Sequence, residues 1–399
     1  MRSGLAVLLI LLAACAGTGG APAPEGVAPG TRPGAPQVMV MLAPAPPAIW
    51  SNTTAELAQS YRLRTVYSWT MGSLGEHCIV YEVTGDREVQ DVVRRVASDP
   101  RVDSVQAIET FEALAAEKAA EKEGRQWNDP YAHLQHSAEA LQLGQAHRWA
   151  TGKGVRVAVI DTGVDLDHPD LRGRVVKAQN FVDRGERSFT TDIHGTAIAG
   201  VIAAAADNEV GIVGVAPQAE IYALKACWQQ SPGAREAVCN SYTLAKAVDF
   251  AILEGAQVLN FSLAGPPDPL LTRLIKVALE RGIVVVAAVP DKDSVRGFPA
   301  SLQGVIGISG SDPPKGRTSF LAAPAVDILT TVPRGSYDFF SGSSLAAAQA
   351  SGVVALLLER NPKLTPPQLA ALFLKTARAN SQIDACAALA SAAGTGSCT

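Results

Sequence analysis

The chain has 399 residues, of which 47% are hydrophobic and 18% charged, with a formal net charge of −4. That composition suits an ordinary globular protein with a large core and room for two or three domains. Its basic residues are scattered and form no stripe, so no nucleic acid is expected as a partner.

Arg2 precedes an apolar run from Leu5 to Leu12, and Leu12-Ala13-Ala14-Cys15 follows. A charged start, a short apolar stretch and small residues make an export signal over 1–14. The run is too short for a lasting transmembrane helix. The sequence LAAC resembles a bacterial lipobox, cut just before the cysteine. The resemblance implies a lipidated Cys15 carrying more than one acyl chain, as stable anchoring requires. The alternative is an ordinary cleaved signal with an incidental cysteine.

Residues 15–36 are rich in Gly, Ala and Pro and read as a disordered tether. Residues 37–112 read as a small α+β domain. VMVML (38–42), LRTVYSW (63–69), CIVYEV (78–83) and VDSVQAIETF (102–111) are expected strands. Helices are expected over 55–61 and 87–97. The order β-α-β-β-α-β is the split ferredoxin-like pattern. Residues 113–127 lack a continuous apolar face and read as a linker.

From 128 to 399 apolar runs alternate with helical stretches. VRVAVI, EIYALKA, AQVLNFSL, GIVVVAAV and GVIGISG suit strands of a parallel sheet buried on both faces. Helices are expected near 241–254, 268–281, 344–360 and 366–377. The fold class is therefore α/β, a three-layer domain around a mainly parallel central sheet.

Export permits disulfides. Cys227 with Cys239, and Cys386 with Cys398, are each twelve positions apart, so two short loops are the economical pairing. Four cysteines allow three connectivities, and sequence does not choose among them. Cys78 is left over and expected to be buried. No cysteine or histidine cluster points to zinc.

Three segments carry chemistry. VAVIDTGVD delivers Asp161 to the carboxyl end of a strand, where open α/β sheets place their sites. HGTAIAGVIAA opens a helix at His194. SGSSLAAAQASG sets Ser344 at the start of an apolar helix, whose N-terminal N–H groups and dipole favour nearby negative charge. A serine hydroxyl needs a base to become nucleophilic. Histidine can take that proton and return it to a leaving amine. A buried aspartate fixes the imidazole tautomer and stabilises the imidazolium. Asp, His, Ser is one of the chain orders known for this geometry.

These segments resemble the signature blocks of the subtilisin family. DLDHPDL (165–171), GIVGVAP (211–217) and NFSLAGP (260–266) extend the likeness over about 150–377. The resemblance implies a serine endopeptidase that acts on peptide or protein substrates through an acyl-enzyme on Ser344. It implies His194 as general base and acid, Asp161 orienting it, and no cofactor for the chemistry. The 37–112 unit resembles the family's propeptide, which implies an intramolecular inhibitor and a zymogen.

Several positions depart from the family. Ala197 stands for a second histidine, Ala348-Gln349 for Pro-His, and Ser343 for Thr. The oxyanion hole is expected from Ser344 and the loop carrying Asp291, where the family usually has a donating Asn. An ionised Asp cannot donate. We therefore expect Asp291 to be protonated when substrate is bound, as an apolar site can enforce. The substrate pocket is expected between Ser262-Leu263-Ala264-Gly265 and Ala288-Val289-Pro290. Ala264 and Pro290 replace glycines and should narrow it. Asp170 and the loop with Asn208 resemble a structural calcium site, the alternative being a solvated acidic turn. The competing reading of the whole chain is a weak or inactive pseudo-protease that binds peptides in the same groove. The expected location is outside the cytoplasm, lipid-anchored and facing the periplasm or cell surface, with the catalytic domain released when the linker is cut.

Overall fold

The computed structural model describes residues 36–113, 127–183, 186–231, 234, 236–290, 297–310 and 320–395. The export signal, Cys15, the tether and nearly all of the linker lie outside the described residues. The N-terminal unit comprises β1 (Gln37–Leu42), α1 (Pro47–Tyr61), β2 (Leu63–Met71), β3 (Glu76–Val83), α2 (Val89–Val96) and β4 (Ser104–Ala107). Its strands run in the order β2-β3-β1-β4, with β1 antiparallel to both neighbours. Helix α1 begins eight residues earlier than its pattern predicts, at Pro47. Proline suits that place because its φ is preset and its missing N–H would have no helical partner. Period-two alternation splits the sheet's side chains. Val38, Val40, Ile79 and Tyr81 pack with Trp50, Leu57, Val92 and Val96 under the two helices. Met39, Met41, Val80 and the free thiol Cys78 face the other way, into the larger unit.

The expected single strand over 102–111 is two strands. β4 stops at Ala107, and β5 (Thr110–Ala113) belongs to a different sheet. The break has a local cause. Glu109 N–H donates to Ser241 Oγ at 2.8 Å, and its carbonyl accepts Ser241 N–H at 2.9 Å. The backbone is thereby handed from one body to the other.

The larger unit opens with short helices α3 (His136–Ala140) and α4 (Leu143–Ala146). There follow β6 (Arg156–Asp161), β7 (Val175–Asn180), α5 (Glu186–Thr191), α6 (Ile193–Ala203) and β8 (Glu220–Lys225). Next come β9 (Cys227–Gln229), β10 (Ala237–Asn240), α7 (Ser241–Leu253), β11 (Val258–Phe261), β12 (Leu263–Ala264) and α8 (Pro269–Glu280). The chain ends with β13 (Val284–Ala288), β14 (Ile306–Ser309), β15 (Leu321–Ala322), the hairpin β16 (Ile328–Val332) and β17 (Ser336–Phe340), α9 (Ser343–Arg360), α10 (Pro366–Thr376) and α11 (Ala385–Ala392). Seven parallel strands form the central sheet in the order β15-β14-β13-β11-β6-β8-β7. Val157 and Val159 of β6 pack with α6 and α9 on one face. Ala158 and Ile160 pack with α7 and α8 on the other. The chain builds outward in both directions from β6, so a crevice opens at its carboxyl end, where Asp161 sits. Among the described residues no helix is long and apolar enough to cross a membrane.

Candidate active site

Asp161 is the last residue of β6 and is 2% exposed. His194 is the second residue of α6 and equally buried. Its Nδ1 lies 2.8 and 2.9 Å from the two carboxylate oxygens of Asp161. Facing two acceptors, Nδ1 carries the proton, which leaves proton transfer to Nε2. Asp161 is itself aimed by Thr162 N–H, 2.7 Å from Oδ1. The His-Gly-Thr sequence has a steric reason. A Cβ on Gly195 would sit 2.1 Å from the Gly163 carbonyl, so only glycine lets α6 approach the loop after β6 this closely.

Ser344 lies in the first turn of α9, which packs against α6. Gly342 caps that helix at φ 145°, a backbone conformation open to glycine. Ser344 Oγ donates to the Ser262 carbonyl at 3.0 Å, and Ser262 Oγ donates to the Ser344 carbonyl at 3.0 Å. In the first turn, backbone N–H groups fall outside the helix's own ladder, which suits the Ser344 N–H to an oxyanion.

The expected run AQVLNFSL breaks at Ser262. β11 stays in the central sheet, and β12 turns out of it. Ser262, Leu263, Ala264 and Gly265 thus form one edge beside Ala288, Val289 and Pro290 at the end of β13. Gly265 is pinned to Phe298 by backbone bonds of 2.9 and 3.3 Å. The gap between β12 and β10 is filled by β5 of this same chain. Leu263 pairs with Ala113 and Ala264 with Glu112, both antiparallel. On its other side β5 pairs antiparallel with β10, Phe111 opposite Cys239. Asp291 lies outside the described residues.

Asp170 and Asn208 do come together, with Asn208 Nδ2 2.9 Å from Asp170 Oδ1. Ile212 N–H reaches Asp170 Oδ2 at 2.9 Å, and the Asn208 oxygen accepts Val210 N–H at 2.9 Å. Burial pushes the Asp170 carboxyl up, against the pull of these donors. Each carboxylate oxygen of Asp170 thus accepts one N–H group. Among the described residues no group of three His, Cys, Asp or Glu could hold a metal. Cys227 and Cys239 form a disulfide between directly opposed residues of β9 and β10. Cys386 is also disulfide-bonded, and Cys398 lies outside the described residues.

The Subtilase family profile matches residues 152–396. This chain is a subtilase. It is 34% identical over 268 residues to the intracellular serine protease of Paenibacillus polymyxa, covering 61% of this chain and 79% of that one. It is 34% identical over 241 residues to thermitase of Thermoactinomyces vulgaris, covering 58% and 84%. The solved structure of fervidolysin from Fervidobacterium pennivorans, described as a keratinolytic enzyme related to subtilisin, superposes with a TM-score of 0.72. At 23% identity, over 89% of this chain and 61% of that one, that likeness speaks for the fold. The protein is accordingly a serine endopeptidase, and nothing favours the pseudo-protease reading. Subtilase chemistry needs no cofactor.

Sequence reasoning missed two parts of the subtilase site. One is β5 in the cleft. The other is Lys225, 1% exposed at the end of β8, whose Nζ bonds the Thr162 carbonyl at 2.6 Å and pairs with Asp192. A lone lysine closing the apolar run EIYALKA was the available signal.

Proposed function

We propose that Asp161, His194 and Ser344 are the catalytic triad of a self-inhibited, self-processing endopeptidase. Ser344 attacks the scissile carbonyl while His194 takes its proton. Asp161 holds the imidazole and offsets the imidazolium. The Ser344 N–H and a protonated Asp291 receive the oxyanion. His194 then gives that proton to the leaving amine, the C–N bond breaks, and the resulting acyl-enzyme is hydrolysed with His194 activating water.

One observation carries the self-inhibition: β5 is hydrogen-bonded on both edges inside the cleft. That is how an extended substrate would lie, with main-chain bonds giving affinity and alternate side chains giving specificity. The N-terminal unit acts as a propeptide that presents this strand. Its other contacts support the role. Gln106 takes both Asp268 (2.9 Å) and the Leu270 N–H (2.9 Å) at the start of α8, and Arg273 pairs with Glu76. β5 ends at Ala113 opposite Leu263, next to Ser262, whose carbonyl bonds Ser344 Oγ. First cleavage is therefore expected between Leu114 and Ala115. The buried Ala264 keeps the pocket too narrow for large aromatic side chains. Cleavage there leaves a lipidated Cys15 on the propeptide side, so activation frees the protease from the membrane.

Mass spectrometry of wild type and Ser344→Ala tests this. Wild type should appear as two fragments with a new N-terminus at Ala115 and should label with a fluorophosphonate. Ser344→Ala should stay whole and unlabelled. A Ser344→Ala chain that still cleaves itself, or a wild type that never labels between about pH 5 and 9, sinks the reading.

A further inference from the structure

Lys225 is an ammonium at the end of an apolar strand, and it stands opposite Asp161 in the β6–β8 ladder. Its donors reach the Thr162 carbonyl, one residue past Asp161, and Asp192, two residues before His194. Asp192 is the residue from which α6 springs, and its carbonyl accepts the Thr196 hydroxyl at 3.0 Å. Thr162 Oγ accepts Gly195 N–H at 3.0 Å, a second tie between the same two segments. A neutral hydrogen bond could make this tie without the several kcal/mol that burying an ion pair costs. The charge itself therefore calls for an explanation.

Asp161, Asp192, His194 and Lys225 are 2%, 6%, 2% and 1% exposed, so they form one buried cluster that meets solvent chiefly at Asp192. Lys225 cancels Asp192, and Asp161 remains the single uncompensated charge beside a neutral imidazole. When His194 takes the Ser344 proton, the cluster becomes electroneutral. Burial pushes the Asp192 carboxyl up, while Lys225 pulls it down and the charge of Asp161 pushes it up again. Other charges stand further out. Asp183 acts on Asp192. Asp165, whose N–H bonds Thr196 of α6, accepts Arg334 N–H at 2.8 Å. Arg334 also lines a cavity of about 610 Å³ together with Asp192.

We propose that Lys225 and Asp192 are positioning residues that set the proton affinity of His194 by balancing each other's charge beside it. This rests on His194 being the base. Removing Lys225 leaves a second uncompensated carboxylate in the cluster, coupled to Asp161, and raises the proton affinity of the imidazole. Removing the charge of Asp192 leaves an uncompensated ammonium and lowers it. A purely structural tie would not give shifts of opposite sign.

The test compares wild type, Lys225→Met, Asp192→Asn and the double variant through the pH dependence of kcat/KM on a peptide substrate. The acid limb, which requires neutral His194, should move to higher pH by about half a unit or more in Lys225→Met. It should move to lower pH by a similar amount in Asp192→Asn and return close to wild type in the double variant. The His194 ring-proton NMR titration, in the full Ser344→Ala chain carrying the same substitutions, gives a second readout independent of turnover. It should show the same opposite shifts. Shifts of the same sign, or an unmoved limb and titration with only a fall in thermal stability, overturn the proposal. Activity retained in Ser344→Ala would instead overturn the protease mechanism on which it rests.

Discussion

Ser344 and Ser262 hold each other through reciprocal hydrogen bonds of 3.0 Å, each hydroxyl donating to the other residue's carbonyl. The pair is backed by Asn260, whose Nδ2 reaches Ser262 Oγ at 2.9 Å and whose Oδ1 accepts Ser351 Oγ at 2.8 Å. All four residues are fully or almost fully buried. Asn260→Leu strands the buried Ser351 hydroxyl, leaves Ser262 Oγ only its bond to the Ser344 carbonyl, and should cost about 1–3 kcal/mol. Thermal unfolding in a Ser344→Ala background, which prevents self-digestion, measures it. An unchanged Tm would mean the network is not what holds β11 to α9.

Asp291 gives a second prediction. If its protonated carboxyl is an oxyanion donor, Asn in its place donates at every pH. Asp291→Asn should then keep kcat near wild type at neutral pH and hold it at higher pH, where the wild type falls as Asp291 ionises. In a subtilisin, one such donor is worth about 2.7–4 kcal/mol. A wild type and variant with the same alkaline limb would show that another group receives the oxyanion.

The disulfide between Cys227 and Cys239 braces the wall that grips β5 on its β10 side. Replacing both by Ser removes a short closed loop and should cost about 3 kcal/mol. KM should rise more than kcat falls, because β10 contacts the bound strand and none of the triad. Steady-state kinetics beside urea denaturation separate the two effects.

Lys246 of α7 lies 4.8 Å from the Tyr67 ring, 5.4 Å from Tyr242 and 5.8 Å from Phe181. Burial lowers its pKa from 10.5 to about 8. Between those values the unfolded chain holds a proton the folded chain does not, so this group makes stability rise with pH. Below about pH 8 both states are protonated and its contribution is flat. In the Ser344→Ala background, stability relative to Lys246→Met should therefore climb from about pH 8 towards 10.5. Urea midpoints at several pH values check the slope, and a falling difference would refute it.

Much of this was readable in advance because it is local. DTG, HGT and GSS each combine a special residue with an element boundary, and strands buried on both faces announce themselves as apolar runs. What escaped was non-local. The alternation from Val102 to Phe111 is continuous, and only Ser241, more than 130 positions away, divides it at Glu109. The run through Ser262 was divided likewise by its bonds to Ser344. Lys225 was visible as an anomaly, but no spacing rule links it to Asp192. Asp170 and Asn208 do meet, as their residue types suggested, and there Asn208 Nδ2 donates to the Asp170 carboxylate.

The strand seated between β12 and β10 changes what dilution does to this molecule. While the chain is whole, the tail is tethered, and its effective concentration at the cleft is fixed by the linker, of order millimolar for a short one. No amount of dilution can then empty the cleft. Once the bond after residue 114 is cut, tail and cleft belong to separate molecules. The β5 ladders, the Glu109–Ser241 bonds, and the contacts of Gln106, Glu76 and the sheet face with α7 and α8 then hold them together without a covalent link. Occupancy then follows mass action. The cut by itself releases nothing, and its effect is to make inhibition depend on concentration. A protease leaving a crowded surface for open solution would switch on by spreading out.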